Sequence, residues 1–160
     1  MNKEIRKQRI EELKRKNLKK QLEEKFKCVC TSITDFEFLT SKEIELRFQN
    51  VYSNDQNPQI RFKHNLNRIM KEMSFLQKKF SEYRNEYILL YQKEILPSYR
   101  LKLRFEDFWN NLNLIAEFLN FEDESSHFFF TLLGHRKNFG IFIYEDEYGL
   151  DHILFWDKNL

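Results

Sequence analysis

The side chains best suited to chemistry are acidic and lie in the last third of the chain. Glu122, Asp123 and Glu124 form one run, and Glu145, Asp146 and Glu147, with Asp151 close behind, form another. Carboxylates grouped this way could hold a divalent metal for phosphodiester hydrolysis, a reaction that also needs inward-facing oxygens and a nearby cation to stabilise developing charge. The cations of residues 105–160 are Arg136, Lys137 and Lys158, which do not make that pattern. Three consecutive acids also cannot all point inward, because successive strand residues face opposite sides; such runs usually mark exposed turns. His64, His127, His135 and His152 stand singly, without the ligand spacing of a metal site. With only three glycines, at 134, 140 and 149, no phosphate-cradling loop can be built, and no nucleophile-elbow, zinc-protease or EF-hand spacing occurs. The expectation is a protein that is not an enzyme and uses neither metal nor cofactor.

The same acids admit a second use. Interleaved with Phe121, Tyr144, Tyr148 and Trp156 they would form a negative aromatic patch. Aromatics supply rigid contact area, and carboxylates steer a basic partner into place. The candidate partner-binding residues are therefore Glu122, Asp123, Glu124, Tyr144, Glu145, Asp146, Glu147, Tyr148, Asp151 and Trp156. Such a surface resembles nucleic acid in charge and suits an inhibitor that plugs a phosphate-binding cleft, as a nuclease inhibitor would.

Charge is divided along the chain. Residues 1–27 hold eleven Lys or Arg and five Glu (net +6), residues 28–104 are +4, and residues 105–160, with three basic and eleven acidic groups, are −8. The overall +2 therefore conceals a dipolar sequence whose halves could pair with each other. Between Lys3 and Lys25 nearly every residue favours helix, with Ile5, Ile10, Leu13, Leu18 and Leu22 as a thin apolar stripe. This predicts a basic helical arm over 1–27 and one globular domain over 28–160. The arm gives the alternative function, nucleic-acid or ribosome association, because lysines release counterions from phosphates.

The elements that must position these side chains are read from periodicity. A β-prone stretch is expected at Cys28–Ile33, a helix from Ser41 to about Tyr52, and a loop over Ser53–Asn57. Phe62, Leu66, Ile69, Met73, Leu76, Phe80, Tyr83, Tyr87 and Leu90 follow steps of four and three, predicting helix over 58–96. One helix of that length would run about 58 Å, longer than a domain of this size is wide, so a break is expected near Ser81–Asn85. Alternation over Tyr99–Phe105 predicts a short strand, and Phe108, Leu112, Ile115, Phe118 and Leu119 a helix over 106–120. His127–Leu133, Phe139–Glu145 and Leu150–Trp156, separated by turns, predict an antiparallel meander, with the 99–105 strand as a candidate fourth member. The fold class is α+β, with a basic N-terminal helix, a helical middle and a C-terminal antiparallel β-meander of three to four strands.

At 160 residues, 41% apolar and with 17 Phe, the chain has ample core material. Its apolar runs are far shorter than the roughly 20 residues that span a bilayer, and its charged start lacks the pattern of a signal peptide. Cys28 and Cys30 are too close for a useful disulfide loop and read as reduced thiols, which fits a cytoplasmic protein. The run Phe139-Gly-Ile-Phe-Ile-Tyr-Glu-Asp-Glu-Tyr-Gly-Leu-Asp-His-Ile-Leu-Phe, behind the Lys- and Glu-rich start, resembles small bacterial proteins of the YxiF-like group, encoded beside polymorphic toxins and proposed as immunity proteins. The likeness covers the first 25 or so and the last 35 or so residues. It implies a non-enzymatic cytoplasmic protein that binds one cognate toxin, and it carries over no functional residue.

Overall fold

The structure is a computed structural model describing residues 3–40, 59–63, 65–92, 95–96, 98–119 and 129–157. Helix α1 (Lys3–Val29) is followed by β1 (Phe36–Thr40), β2 (Gln59–Lys63), α2 (Leu66–Lys79), a 3-10 turn (Ser81–Tyr83), β3 (Tyr87–Tyr91), β4 (Tyr99–Arg104), the short helices α3 (Phe105–Asn110) and α4 (Leu112–Leu119), and β5 (Phe130–Gly134), β6 (Phe139–Glu145) and β7 (Leu150–Asp157). The strands of the described residues belong to one antiparallel sheet, ordered β1-β4-β3-β5-β6-β7-β2. The protein is α+β, as expected. Among the described residues, however, the sheet has seven strands, and the predicted meander β5-β6-β7 is only its C-terminal portion.

The extra strands come from sequence that imitates a helix. Tyr87–Tyr91 lies in the middle of the sheet, so both its faces are covered: Ile88 and Leu90 enter the main core, while Leu89 joins Leu133 and Trp156 on the opposite face. A strand buried on both sides shows no period-two alternation, and Tyr87 and Leu90 happened to continue the helical spacing of Ile69, Met73, Leu76 and Phe80. The real helix ends at Lys79, and the break expected near Ser81–Asn85 is present as the 3-10 turn. At the other end of the supposed helix, β2 pairs with β7; Ile60 and Phe62 pack against the core while Arg61 and Lys63 are exposed, an alternation proper to an edge strand. The expected helix from Ser41 and the loop after it lie outside the described residues.

Three further expectations change. The Cys28–Ile33 stretch is not a strand: α1 continues to Val29, and the first strand begins at Phe36. The 99–105 strand exists as β4, but it pairs with β1 and β3, and β3 is the neighbour of the meander. The helix over 106–120 divides at Asn111 into α3 and α4; Phe105, Phe108, Ile115, Phe118 and Leu119 are buried, and Leu112 is half-buried.

The helices form a main core against one face of the sheet. The last third of α1 enters it: Leu22 and Phe26 are buried, and Phe26 meets Phe36, Phe38 and Phe118 edge-on at centroid separations of 4.8, 6.2 and 5.3 Å. Residues 3–17 of the same helix are exposed. Tyr83 stacks on Phe139 at 4.1 Å and donates from its hydroxyl to Asp157 (2.8 Å), joining the 3-10 turn to the meander. On the opposite face, β4 carries Arg100, Lys102 and Arg104; the Arg100 guanidinium lies 3.4 Å from the centroid of Tyr91 and donates to the Tyr99 carbonyl (3.0 Å). Gly140 lets β6 and β7 close up on that face, since a Cβ there would stand 2.0 Å from Trp156 Cζ2 and 2.6 Å from the Leu132 carbonyl oxygen.

Two substitutions test this packing by urea unfolding. Phe26→Ala should cost about 3–5 kcal/mol by opening a cavity among aromatics, while Leu13→Ala on the exposed part of the same helix should stay within about 0.5 kcal/mol of the parent. Gly140→Ala should cost about 1–3 kcal/mol by overpacking against Trp156.

Candidate interaction surface

The β6–β7 hairpin carries most of the described candidate residues, and its turn is organised by one carboxylate. The Asp146 backbone N–H donates to the Leu150 carbonyl and the Gly149 N–H to the Asp146 carbonyl, both at 3.0 Å, with Gly149 at φ 73°, where a side chain would be strained. The Asp146 side chain then accepts from the Tyr148 N–H (2.9 Å) and the Leu150 N–H (3.0 Å) on one oxygen. Its other oxygen meets His152 Nε2 (2.8 Å) and the Arg61 guanidinium (3.2 Å), so the turn is also tied to the edge strand β2. Burial alone would raise the Asp146 carboxyl, but the bonds from His152, Leu150 and Tyr148 outweigh it and hold the group at about 2.

The neighbouring side chains are fixed by the register, which sets Tyr144 opposite His152, Phe142 opposite Leu154 and Gly140 opposite Trp156. Tyr144 is sandwiched between Phe142 and His152, stacked at 4.8 and 4.7 Å. Asp151 points to the other side of β7, is buried, and accepts from the Asn65 N–H (3.3 Å). Asn65 in turn caps α2 by accepting from the Arg68 N–H (3.0 Å), so Asp151 links β7 to the start of that helix.

The predicted residues therefore separate by position. Asp151 and Trp156 are buried, the first as an acceptor for the start of α2 and the second in the apolar cluster of the outer sheet face, while Asp146 is half-buried with its oxygens occupied by bonds within the hairpin and to β2. Glu145 and Tyr144 are half-buried, and Glu147 and Tyr148 stand in solvent, Tyr148 with 76% of its surface exposed. Glu122, Asp123, Glu124 and Phe121 lie outside the described residues. Sequence reasoning missed His152, Arg61 and Asn65 as partners of the acids. His152 could have been found from the turn, since a hairpin closing on residues 146–149 brings positions 144 and 152 together. Arg61 is 85 residues from Asp146 and had no such signal.

Elsewhere, a recess of about 190 Å³ lies between the end of α2, the 3-10 turn and α3, with Phe80, Phe105 and Trp109 among its walls and Arg84 and Glu106 at its edge. It is smaller than the roughly 300 Å³ at which small-molecule sites begin. Among the described residues no group of three or more His, Cys, Asp or Glu is arranged to hold a metal ion, and no helix is long and apolar enough to cross a membrane. Cys28 is exposed and Cys30 buried; burial pushes the Cys30 thiol up to about 11, which removes it as a nucleophile near neutral pH.

The chain matches the family model of the YxiF protein over residues 18–156. The chain belongs to the YxiF family. The matched region begins at Leu18, the first residue of α1 that packs against the core, and ends at Trp156, in the last strand of the sheet. No curated protein and no solved structure matches the chain.

The linkage at Asp146 has a definite sign. A carboxyl whose folded value is depressed to about 2 stabilises the fold above its unfolded value of roughly 3.9 and loses that contribution as pH falls toward 2. Asp146→Asn should lower the melting temperature at pH 7, and the deficit relative to the parent should shrink steadily between about pH 4 and pH 2 in thermal melts read by circular dichroism.

Proposed function

We propose that the protein is a non-enzymatic binding protein of the immunity type, which neutralises a cognate bacterial toxin in the cytoplasm through the β6–β7 end of its sheet. The observation that carries this reading is the exposed Tyr148 beside Glu147 on a turn held rigid by the Asp146 carboxylate. A rigid aromatic loses little entropy when a partner covers it, and tyrosine is among the residues that most often dominate interface energetics. An adjacent carboxylate adds attraction for a basic surface. A nuclease, whose cleft is built to receive phosphates, is the toxin class that such an acidic aromatic anchor fits.

Within this reading the residues have different roles. Tyr148 and Glu147 touch the partner, with Glu145 and Tyr144 beside them. Asp146 acts indirectly: by accepting from Tyr148 N–H and Leu150 N–H it sets the conformation in which the tip is presented. Asp151 and Trp156 support the strand beneath.

Co-expression with toxin domains encoded beside this gene tests the reading. One neighbour should be neutralised and should co-purify in a complex. Tyr148→Ala together with Glu147→Lys should weaken that complex by about 2 kcal/mol or more, roughly thirtyfold, in calorimetric titration, with the melting temperature unchanged. If every neighbouring toxin still kills and none forms a complex, the proposal is wrong.

A further inference from the structure

The way α1 packs decides where its positive charge points. Leu18, Leu22, Phe26 and Val29, at steps of four, four and three, face the core. Lys20 stands two residues before Leu22, about 200° around the helix at 3.6 residues per turn, so its side of the helix faces away from the body. Stepping by three and four from there gives one seam: Arg6, Arg9, Leu13, Lys16, Lys20, Glu24 and Lys27, every one of them exposed. Lys20 pairs with Glu24 (3.9 Å), whereas Arg6, Arg9, Lys16 and Lys27 form no ion pair among the described residues.

From this placement we infer that the outward seam of α1 is a binding surface for the phosphate backbone of nucleic acid. The cations are spread over about 32 Å of helix, the length of roughly nine base pairs of duplex. Among the described residues no ion pair joins this seam to the acidic third of the chain: the seam lies opposite the face that meets the domain, and Asp146, Asp151 and Asp157 are bonded elsewhere within the fold. A membrane surface is disfavoured by composition: Leu13 is the single apolar residue on the seam, with Ile5 and Ile10 to either side, too little for an interfacial helix to bury. Rows of Arg and Lys without a wide apolar face are the footprint of phosphate contacts, which confer affinity without base specificity. The seam is independent of the toxin-binding reading, and much of it precedes residue 18, where the family match begins.

The test is fluorescence anisotropy with the full-length protein and a labelled 20-base-pair duplex of mixed sequence. Four phosphate contacts predict that affinity falls roughly 10²-fold between 50 and 200 mM NaCl. Arg6→Glu, Arg9→Glu and Lys16→Glu combined should weaken binding at least tenfold at 50 mM NaCl, while Arg6→Lys with Arg9→Lys should retain it. None of the three reversed residues touches the core, so the helical circular dichroism signal and melting temperature should be those of the parent; if helix is lost, the corresponding Gln substitutions take their place. Binding that ignores salt, or reversal variants that bind as the parent does, would overturn the inference. So would equal or tighter binding to phosphatidylserine vesicles or to polyglutamate at matched anion concentration. No toxin enters this experiment, so its failure leaves the toxin-binding proposal standing, and the reverse holds.

Discussion

Strands β3, β5 and β6 carry large apolar side chains on both faces, and the architecture follows from the need to cover both at once. On one side, Ile88, Leu90, Leu132, Ile141 and Ile143 are covered by the helices, which contribute both aliphatic side chains such as Ile69, Met73 and Leu76 and aromatic ones such as Phe26, Phe108 and Phe118. On the other, Leu89 and Leu133 are covered by Trp156, with Tyr91 and Phe142 around them. Removing that much apolar area from water is the main favourable term in folding, and it places these strands in the interior of the sheet, since an edge position would leave one flank of backbone groups unpaired. The edges are β2, with Arg61 and Lys63 exposed, and β1, with Glu37 exposed.

Polar side chains are then used where apolar packing cannot set geometry. Asp146 supplies acceptors for the backbone of the hairpin turn and for two side chains from different strands, which fixes both the turn and its distance from β2. Asp151, one pleat away on the opposite side, does the equivalent for the start of α2. These carboxylates serve the fold in a way that positions others: the same bonds that occupy both oxygens of Asp146 leave Tyr148 and Glu147 projecting from a turn with little freedom to collapse. A protein that recognises a partner with a small rigid tip benefits from this arrangement, because less ordering remains to be done on binding.

The helix α1 shows a similar division within one element. Its final turns are core, its first turns are not, and the amphipathic signal averaged over the whole helix is weak for that reason. Sequence alone indicated a helix there and showed that it is basic. It did not indicate which side was free, since the apolar stripe was thin and Ile5, Ile10 and Leu13 proved to lie away from the packed face.

The amino-acid sequence by itself determined the elements whose signal is local: the first helix, the β5-β6-β7 meander with its turns, the break after Phe80, and the concentration of acid and aromatic residues near the C-terminus. These rest on side-chain period and turn chemistry, which act over a few residues. Tertiary structure decided what depends on pairing across the chain. It turned Tyr87–Tyr91 from a continuation of a helix into a central strand, because burial on both faces erases alternation, and it turned Gln59–Lys63 into the edge strand that brings Arg61 to Asp146. It also sorted the acidic cluster, burying Asp151 and Trp156, tying the half-buried Asp146 to its turn and to β2, and leaving Glu147 and Tyr148 outside, a choice set by strand register and by partners as far as 86 residues away.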